Sequence, residues 1–341
     1  MNKPYVIGVD MGATNTDFGI VDKSGTILFR SSIKTLVNKE GKEYAKGEDY
    51  VDDLGKAIND LIASNHLQDK VEGIGMGVPN GNMNDGTVKD AANIPWTKGI
   101  PVPFPLAASL SKKTGLPCKL TNDANAAAMG EMKYGAAKGL RDFIVITLGT
   151  GVGAGIVSNG QLVVGCDGFA GELGHVTVVR EHGRICGCGL SGCLETYTSA
   201  TGVARTAQEL LELYPERESI LRNIQPITSK DVHDAAKAGD SLAIDVFNIT
   251  GRILGEAFCN FIAFSSPEKI ILFGGLAKSG DFLLTPIKKA IEDNILFVYK
   301  GKTEVIISNL IDEEKEEETG KDKDINKDKA AILGASALIW E

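Results

Sequence analysis

"YVIGVDMGATNTDFGIVDKSGTILFR", residues 5–30, and "FIVITLGTGVGAGIVSNGQLVV", residues 143–164, decide the fold, because the second repeats the plan of the first. Each opens on an apolar run, turns at a Gly/Thr cluster, continues as a second strand, turns again at "DKSG" or "SNG", and enters a third strand. Two copies of this unit predict a duplicated α/β core. Glycine in the first turn of each copy lets backbone N–H groups approach an anion, and threonine adds a hydroxyl donor. Either turn alone could serve only as a tight hairpin. Two matched copies, one with Asp10 at the end of its first strand, favour nucleotide phosphates. Residues 149–155, "GTGVGAG", superficially match a dinucleotide fingerprint, but that fingerprint opens a helix and here a strand and hairpin follow. No G-x-x-x-x-G-K-[ST] occurs, which excludes a Walker loop.

Two further stretches add chemistry to this frame. In "PEKIILFGGLAKSGD", residues 267–281, a buried-strand run ends in Gly274 and Gly275, at the strand end where open α/β sheets accept ligands; an adenosine fits there. The segment before it has helical period, with Ala243, Phe247, Ile253, Leu254, Ala257, Phe258 and Phe261 near one stripe. In "CKLTNDANAAAMGEMKYGAA", residues 118–137, a strand ends at Thr121, and Asn122 or Asp123 caps an Ala-rich helix. Capping explains one polar residue but not Asn-Asp-x-Asn. A carboxylate at a helix N-terminus stays ionised, which suits a group that orients a hydroxyl and accepts its proton late in phosphoryl transfer.

Composition limits the partners. The chain has 341 residues, 43% hydrophobic and 24% charged, enough for a sizeable core in two domains. A net charge of −9 argues against a general grip on nucleic acid or anionic lipid and points to small-molecule partners. "MNKP" before the first apolar run leaves no room for a signal peptide, and no apolar run is long enough to cross a bilayer. The expected compartment is therefore the reducing cytoplasm.

In that compartment clustered cysteines are more often metal ligands or catalysts than disulfides. "CGCGLSGCLE", residues 186–195, holds three of the chain's six cysteines, an odd number that cannot pair off locally. Of the four histidines, His66 and His233 lie in distant helical segments, which leaves His175 and His182 as the fourth ligand. A Cys3His zinc site has no open position for water, so it would be structural, ordering a Gly-rich loop that has few apolar residues.

"DMGATNT", "TNDANAAAMGE", "LGTGVGAGIVSNG", "AGELGH" and "CGCGLSGCLE", in this order and spacing, resemble the ROK family of sugar kinases and sugar-responsive repressors, from residue 5 to the closing "AAILGASALIW". The resemblance implies a duplicated actin-like ATPase (ribonuclease H-like) fold with two domains around a cleft. The expected division is a smaller domain over residues 1–121, with 330–341 packing back on it, and a larger one over 122–329. It implies Asp123 as the base that takes the sugar hydroxyl's proton, and Asn122, Glu172, His175 and Glu195 as sugar contacts. It assigns zinc to His175, Cys186, Cys188 and Cys193, with the metal fixing the loop that carries Glu195.

For ATP, the resemblance places Gly12 and Thr14 of the first copy, and Thr150 and Gly151 of the second, at the phosphates. Gly274 and Gly275 border the adenine, and Asp10 positions Mg2+. Many relatives have Gly-x-Pro-Gly where this chain reads "GVPNGN", so Asn80 and Gly81 bear on one sugar edge; Asn93 in "AANIPW" lies in a segment that lines the same pocket, or caps its own loop. The implied reaction is transfer of the γ-phosphoryl group of ATP to a hexose, with glucose O6 ranked ahead of mannose, fructose, allose and N-acetylhexosamines. Relatives commonly form homodimers or tetramers. The family's repressors carry an N-terminal helix-turn-helix, whereas this sequence opens on the first strand, so a sugar-sensing regulator ranks below the kinase. "DEEKEEETGKDKDINKDK", residues 312–329, reads as a charged, solvated loop.

Overall fold

The computed structural model describes residues 3–91, 93–310 and 329–340. The two sequence copies form two five-stranded sheets of the same plan. In the first, β1 (Tyr5–Met11), β2 (Asn15–Asp22) and β3 (Ile27–Lys34) make an antiparallel meander, and β4 (Val71–Gly77) and β7 (Cys118–Thr121) extend it in parallel, giving the order β3-β2-β1-β4-β7. In the second, β8 (Phe143–Leu148), β9 (Val152–Ser158) and β10 (Gln161–Leu162) take the places of β1, β2 and β3. The parallel strands β11 (Lys269–Phe273) and β12 (Glu304–Ile307) complete the order β10-β9-β8-β11-β12. A two-stranded ribbon, β5 (Gly81–Asn82) and β6 (Thr87–Val88), lies between β4 and β7 in sequence.

The helices are α1 (Gly47–Ser64), α2 (Leu106–Thr114), α3 (Asp123–Tyr134), α4 (Glu195–Thr198), α5 (Ala200–Leu213), α6 (Ser229–Lys237), α7 (Ser241–Ser265), α8 (Asp281–Asn294) and α9 (Lys329–Ala337). The chain forms two compact units. One contains the chain up to Gly139, the segment Leu162–Ala170 and α9; the other contains Leu140–Gln161 and the chain from Gly171 to residue 310. The division therefore falls after Gly139 and not after Thr121, because α3 packs on α9 and β4 of the first unit. Of the charged run 312–329, only Lys329 lies within the described residues, as the first residue of α9.

In the first unit, strand alternation sorts the side chains of β1. Ile7, Val9 and Met11 enter a large core with Leu54 and Ile58 of α1 and Leu106 and Leu110 of α2, whereas Val6 on the other face packs against Ile332 and Leu333 of α9. On that second face Gly8 of β1 and Gly75 of β4 are register partners. A Cβ on Gly8 would strike the carbonyl of Ile332, and one on Gly75 the carbonyl of Ala335. The helix backbone thus lies directly on the sheet. Gly334 on the same helix repeats the device toward α3, where an added Cβ would stand 2.6 Å from the carbonyl oxygen of Ala126.

In the second unit, α7 is the long helix read from the sequence, with Ala243, Phe247, Leu254, Ala257, Phe258 and Phe261 buried. Asp240 caps it, accepting from the backbone N–H of Leu242 and Ala243 through one oxygen and from Ser219 Oγ and the Ile220 N–H through the other. Burial alone would raise this carboxyl, but these donors outweigh it and hold Asp240 below the usual carboxylate range. A depressed carboxylate stabilises the fold above its unfolded value and loses that contribution as the pH falls through its folded value.

Two outcomes are expected. Gly75→Ala should lower the unfolding free energy by about 1–3 kcal/mol in a denaturant titration, because backbone rather than a flexible side chain fills the space. Asp240→Asn should cost about 1 kcal/mol near neutral pH, and the difference from the parent protein should shrink below about pH 4, as read from pH-dependent melting curves.

Candidate active site

The first unit gathers its functional candidates at the C-terminal ends of three parallel strands. Asp10 on β1 pairs in register with Gly77 on β4, and Gly77 with Thr121 on β7. Immediately after Thr121 the chain enters α3, where Asn122 is the N-cap: its Oδ1 accepts from the Asn125 N–H at 2.7 Å. Asp123 is thereby the first helical residue, exposed, with Oδ1 accepting from the Ala124 N–H at 2.9 Å. Gly77 lies between the two aspartates. A Cβ built there would lie 3.9 Å from both Asp10 Oδ1 and the Asp123 Cα.

Next to this row, Gly12 and Thr14 flank the tip of the β1–β2 hairpin, with the Gly12 N–H donating to the Asn15 carbonyl at 3.0 Å. Gly81 is buried, its N–H on the Val78 carbonyl, and a Cβ would stand 2.9 Å from the Thr121 carbonyl oxygen, so it brings the β5 segment against the strand that leads to Asp123. Asn80 is exposed in the left-handed region at φ 59° and donates its amide to the Lys89 carbonyl at 2.8 Å, bracing that loop. Asn93 is exposed just before the 3-10 turn Pro95–Thr97.

The second unit carries the other candidates. Its turn Gly149–Gly151 is held by the start of α5: the Ala200 N–H donates to the Gly149 carbonyl at 2.8 Å and Thr201 Oγ1 to the Thr150 carbonyl at 3.1 Å. Gly274, at φ 100°, sits so close to the end of β8 that a Cβ would be 2.7 Å from the Leu148 carbonyl oxygen, whereas Gly275 faces open space. Glu195 reaches the turn as well. Its Oε2 accepts from the Val152 N–H at 2.9 Å, and only the missing side chain of Gly151 leaves room for it.

The cysteine loop folds back on this glutamate. His175, Cys186, Cys188 and Cys193 bring their ligand atoms within 4.8 Å of one another, and His182 does not join them. Cys186 Sγ lies 3.6 Å from His175 Nδ1, Cys188 Sγ 3.7 Å from Cys193 Sγ, and Cys186 Sγ 3.6 Å from Glu195 Oε1. On the other side of the imidazole, His175 Nε2 faces Glu172 Oε2 at 3.9 Å. Burial pushes the Cys186 thiol up to about 12 and raises Cys193, while the backbone N–H of Leu190 lowers Cys188.

One residue that the sequence patterns do not flag holds this loop. Arg184, buried, donates to the carbonyls of Thr196 at 2.7 Å and Gly202 at 3.3 Å and to Thr206 Oγ1 at 2.9 Å, and forms an ion pair with Glu209. Its guanidinium also lies 4.5 Å from the centre of the Tyr197 ring. Partial burial would raise the Glu209 carboxyl, but Arg184 and Arg205 hold it below its ordinary value. Arg184 thus ties α4, at Thr196 next to Glu195, to the first turn of α5 at Gly202. Its partners lie 12 to 25 positions away, beyond the reach of any local motif.

The sequence profile of the ROK family matches residues 6–339. This chain belongs to the ROK family. Among similar proteins, the glucokinase of Halalkalibacterium halodurans is 40% identical over 297 residues, covering 86% of each chain. The glucokinase of Thermotoga maritima is 33% identical and spans 100% of this chain and 99% of its own. A crystal structure of a ROK family glucokinase from Streptomyces griseus, in complex with glucose and AMPPNP, aligns with a TM-score of 0.73 at 31% identity over 98% of both chains. The two matched sheets are those of the duplicated actin-like ATPase fold. Among the described residues, no helix is long and apolar enough to cross a membrane.

Arg184→Ala should take the guanidinium donor from the Thr196 carbonyl and the ion-pair partner from Glu209, and lower stability on the order of 2 kcal/mol in a denaturant titration.

Proposed function

We propose that this ROK protein is an ATP-dependent hexose kinase whose preferred acceptor is the O6 hydroxyl of glucose. The observation that carries the reading is the pair Asp10 and Asp123 on either side of Gly77, beside the Gly12–Thr14 turn. One carboxylate beside a phosphate turn and a second at a helix N-terminus match the two needs of phosphoryl transfer, charge neutralisation and hydroxyl orientation. Glucose as acceptor and ATP as donor rest on the similarity to glucokinases.

In the proposed reaction the sugar oxygen attacks the γ-phosphorus, the bond to the β–γ bridging oxygen breaks, ADP leaves, and the hydroxyl proton passes to the Asp123 carboxylate. Asn122, Glu172, His175 and Glu195 hydrogen-bond other sugar hydroxyls, with Asn80, Gly81 and Asn93 shaping one edge. Thr150 and Gly151 join Gly12 and Thr14 at the phosphates, and Gly274 and Gly275 border the adenine, Gly275 being the open one of the pair. Asp10 would hold Mg2+, which neutralises charge on the phosphates.

The donor set of the cysteine loop fits zinc. A tetrahedral ion with Zn–S bonds of about 2.3 Å places neighbouring sulfurs about 3.8 Å apart, and Cys188 and Cys193 stand at 3.7 Å. Zinc held by His175, Cys186, Cys188 and Cys193 would fix the loop without taking part in the chemistry. With Nδ1 turned to the cysteines, His175 keeps Nε2 for a sugar hydroxyl.

ADP release measured across a panel of hexoses should give the largest kcat/KM with glucose; a stronger response to an N-acetylated sugar would reverse that ranking. Asp123→Ala should lower kcat by about 10²–10⁴-fold, the range of a lost general base. An undiminished rate would remove Asp123 from the chemistry. Metal analysis should return one zinc per chain, and Cys188→Ser should reduce that occupancy.

A further inference from the structure

The first phosphate turn is tied into the core by a line of three buried hydroxyls. Thr35 Oγ1 donates to the Gly12 carbonyl at 2.8 Å, and the Thr35 N–H donates to the Thr14 carbonyl at 3.0 Å. Thr16 Oγ1 lies 3.0 Å from Thr35 Oγ1 and 2.9 Å from the Tyr50 hydroxyl. Thr16, Thr35 and Tyr50 are all 0% exposed.

A hydroxyl has one proton to give, which fixes the direction of the whole line. Thr35 gives its proton to a carbonyl, so it must accept from Thr16. Thr16, having donated, must accept from Tyr50. The order is therefore Tyr50 O–H to Thr16 O–H to Thr35 O–H to the Gly12 carbonyl. Burial raises the Tyr50 hydroxyl far above neutrality, which keeps the first donor protonated. The ring does not wander, because it stacks on Trp96 at 5.4 Å and meets Tyr44 edge-on at 5.7 Å.

The far end of the line has an electrostatic effect. In a planar trans peptide the C=O and the following N–H point in opposite directions. Drawing the Gly12 carbonyl inward to Thr35 therefore turns the Ala13 N–H outward, at the exposed tip formed by Ala13 and Thr14. The carbonyl oxygens, which would repel a phosphate, are held on the buried side. In the second turn an exposed hydroxyl, Thr201 Oγ1, donates to the Thr150 carbonyl.

We propose that Tyr50, Thr16 and Thr35 are positioning residues for the nucleotide: their one-way hydroxyl line holds the Gly12–Thr14 turn with its N–H edge toward the phosphates. This rests on the reading of that turn as a phosphate contact, made above.

The test uses the full-length, zinc-replete protein and the variants Thr35→Val, Thr35→Ser and Tyr50→Phe. Calorimetric titration with Mg·AMPPNP measures nucleotide affinity without turnover, and steady-state assays give the KM values for ATP and glucose separately. Thr35→Val should weaken Mg·AMPPNP and raise the KM for ATP by about tenfold, and Tyr50→Phe by about threefold, with the KM for glucose within about twofold of the parent. Thr35→Ser, which restores the hydroxyl, should return both nucleotide values to within about twofold of the parent.

Unchanged Mg·AMPPNP affinity in both Thr35→Val and Tyr50→Phe would overturn the proposal. So would a proportional rise in both KM values, or a Thr35→Ser protein as impaired as Thr35→Val. If the parent protein phosphorylates no hexose yet Thr35→Val still loses nucleotide affinity, the hexose reading fails and this one stands.

Discussion

Backbone packed directly against backbone is the constraint on which the first unit rests. Gly8 and Gly75, opposite each other on β1 and β4, admit the carbonyl side of α9 onto the sheet, and Gly334 of that helix admits α3. The position of α3 therefore follows from the absence of three side chains. Asn122 and Asp123 stand at the start of α3, so the place of the proposed base relative to Asp10 depends on the same stack. A methyl group at any of these glycines would press on carbonyl groups, which cannot rotate away as a side chain can.

The duplicated plan was legible because each copy carries its own local signals: alternating apolar strands, Gly/Thr turns and a second polar turn. Residues 5–30 and 143–164 become β1–β3 and β8–β10, with equal strand order in the two sheets. The metal cluster was legible for a similar reason, since three of its ligands fall within eight residues. Its fourth ligand was not decided by local pattern. His182 is the nearer of the two candidates in sequence, yet the fold of the loop brings only His175 to the sulfurs. The boundary after Thr121 fails on the same ground: a strand end looks like a domain edge until α3 is seen packing on a helix two hundred residues later.

What the residues could not announce are the tertiary supports. Arg184 reads as an ordinary charge in a polar loop, yet it ties α4 to the start of α5. Thr16, Thr35 and Tyr50 read as strand and helix filler, although each is fully buried with its hydroxyl engaged. Buried polar groups of this kind are costly unless paired, and their partners come from distant segments that sequence spacing does not connect. Glu195 belongs between the two classes. Its position after the cysteines was visible, but its grip on the Val152 N–H, in the space left by Gly151, is a property of the folded turn.

The seat of α9 also orders events during synthesis. Val6 and Val21 bury themselves against Ile332 and Leu333, which are synthesised after the whole of the second unit. Until then the face of β1 and β4 that carries Gly8 and Gly75 has no cover, while the second unit already has all its strands and helices to hand. The sheet that opens the first unit is therefore covered by a helix made only after the whole of the second unit, which a chain growing from its amino end must accommodate.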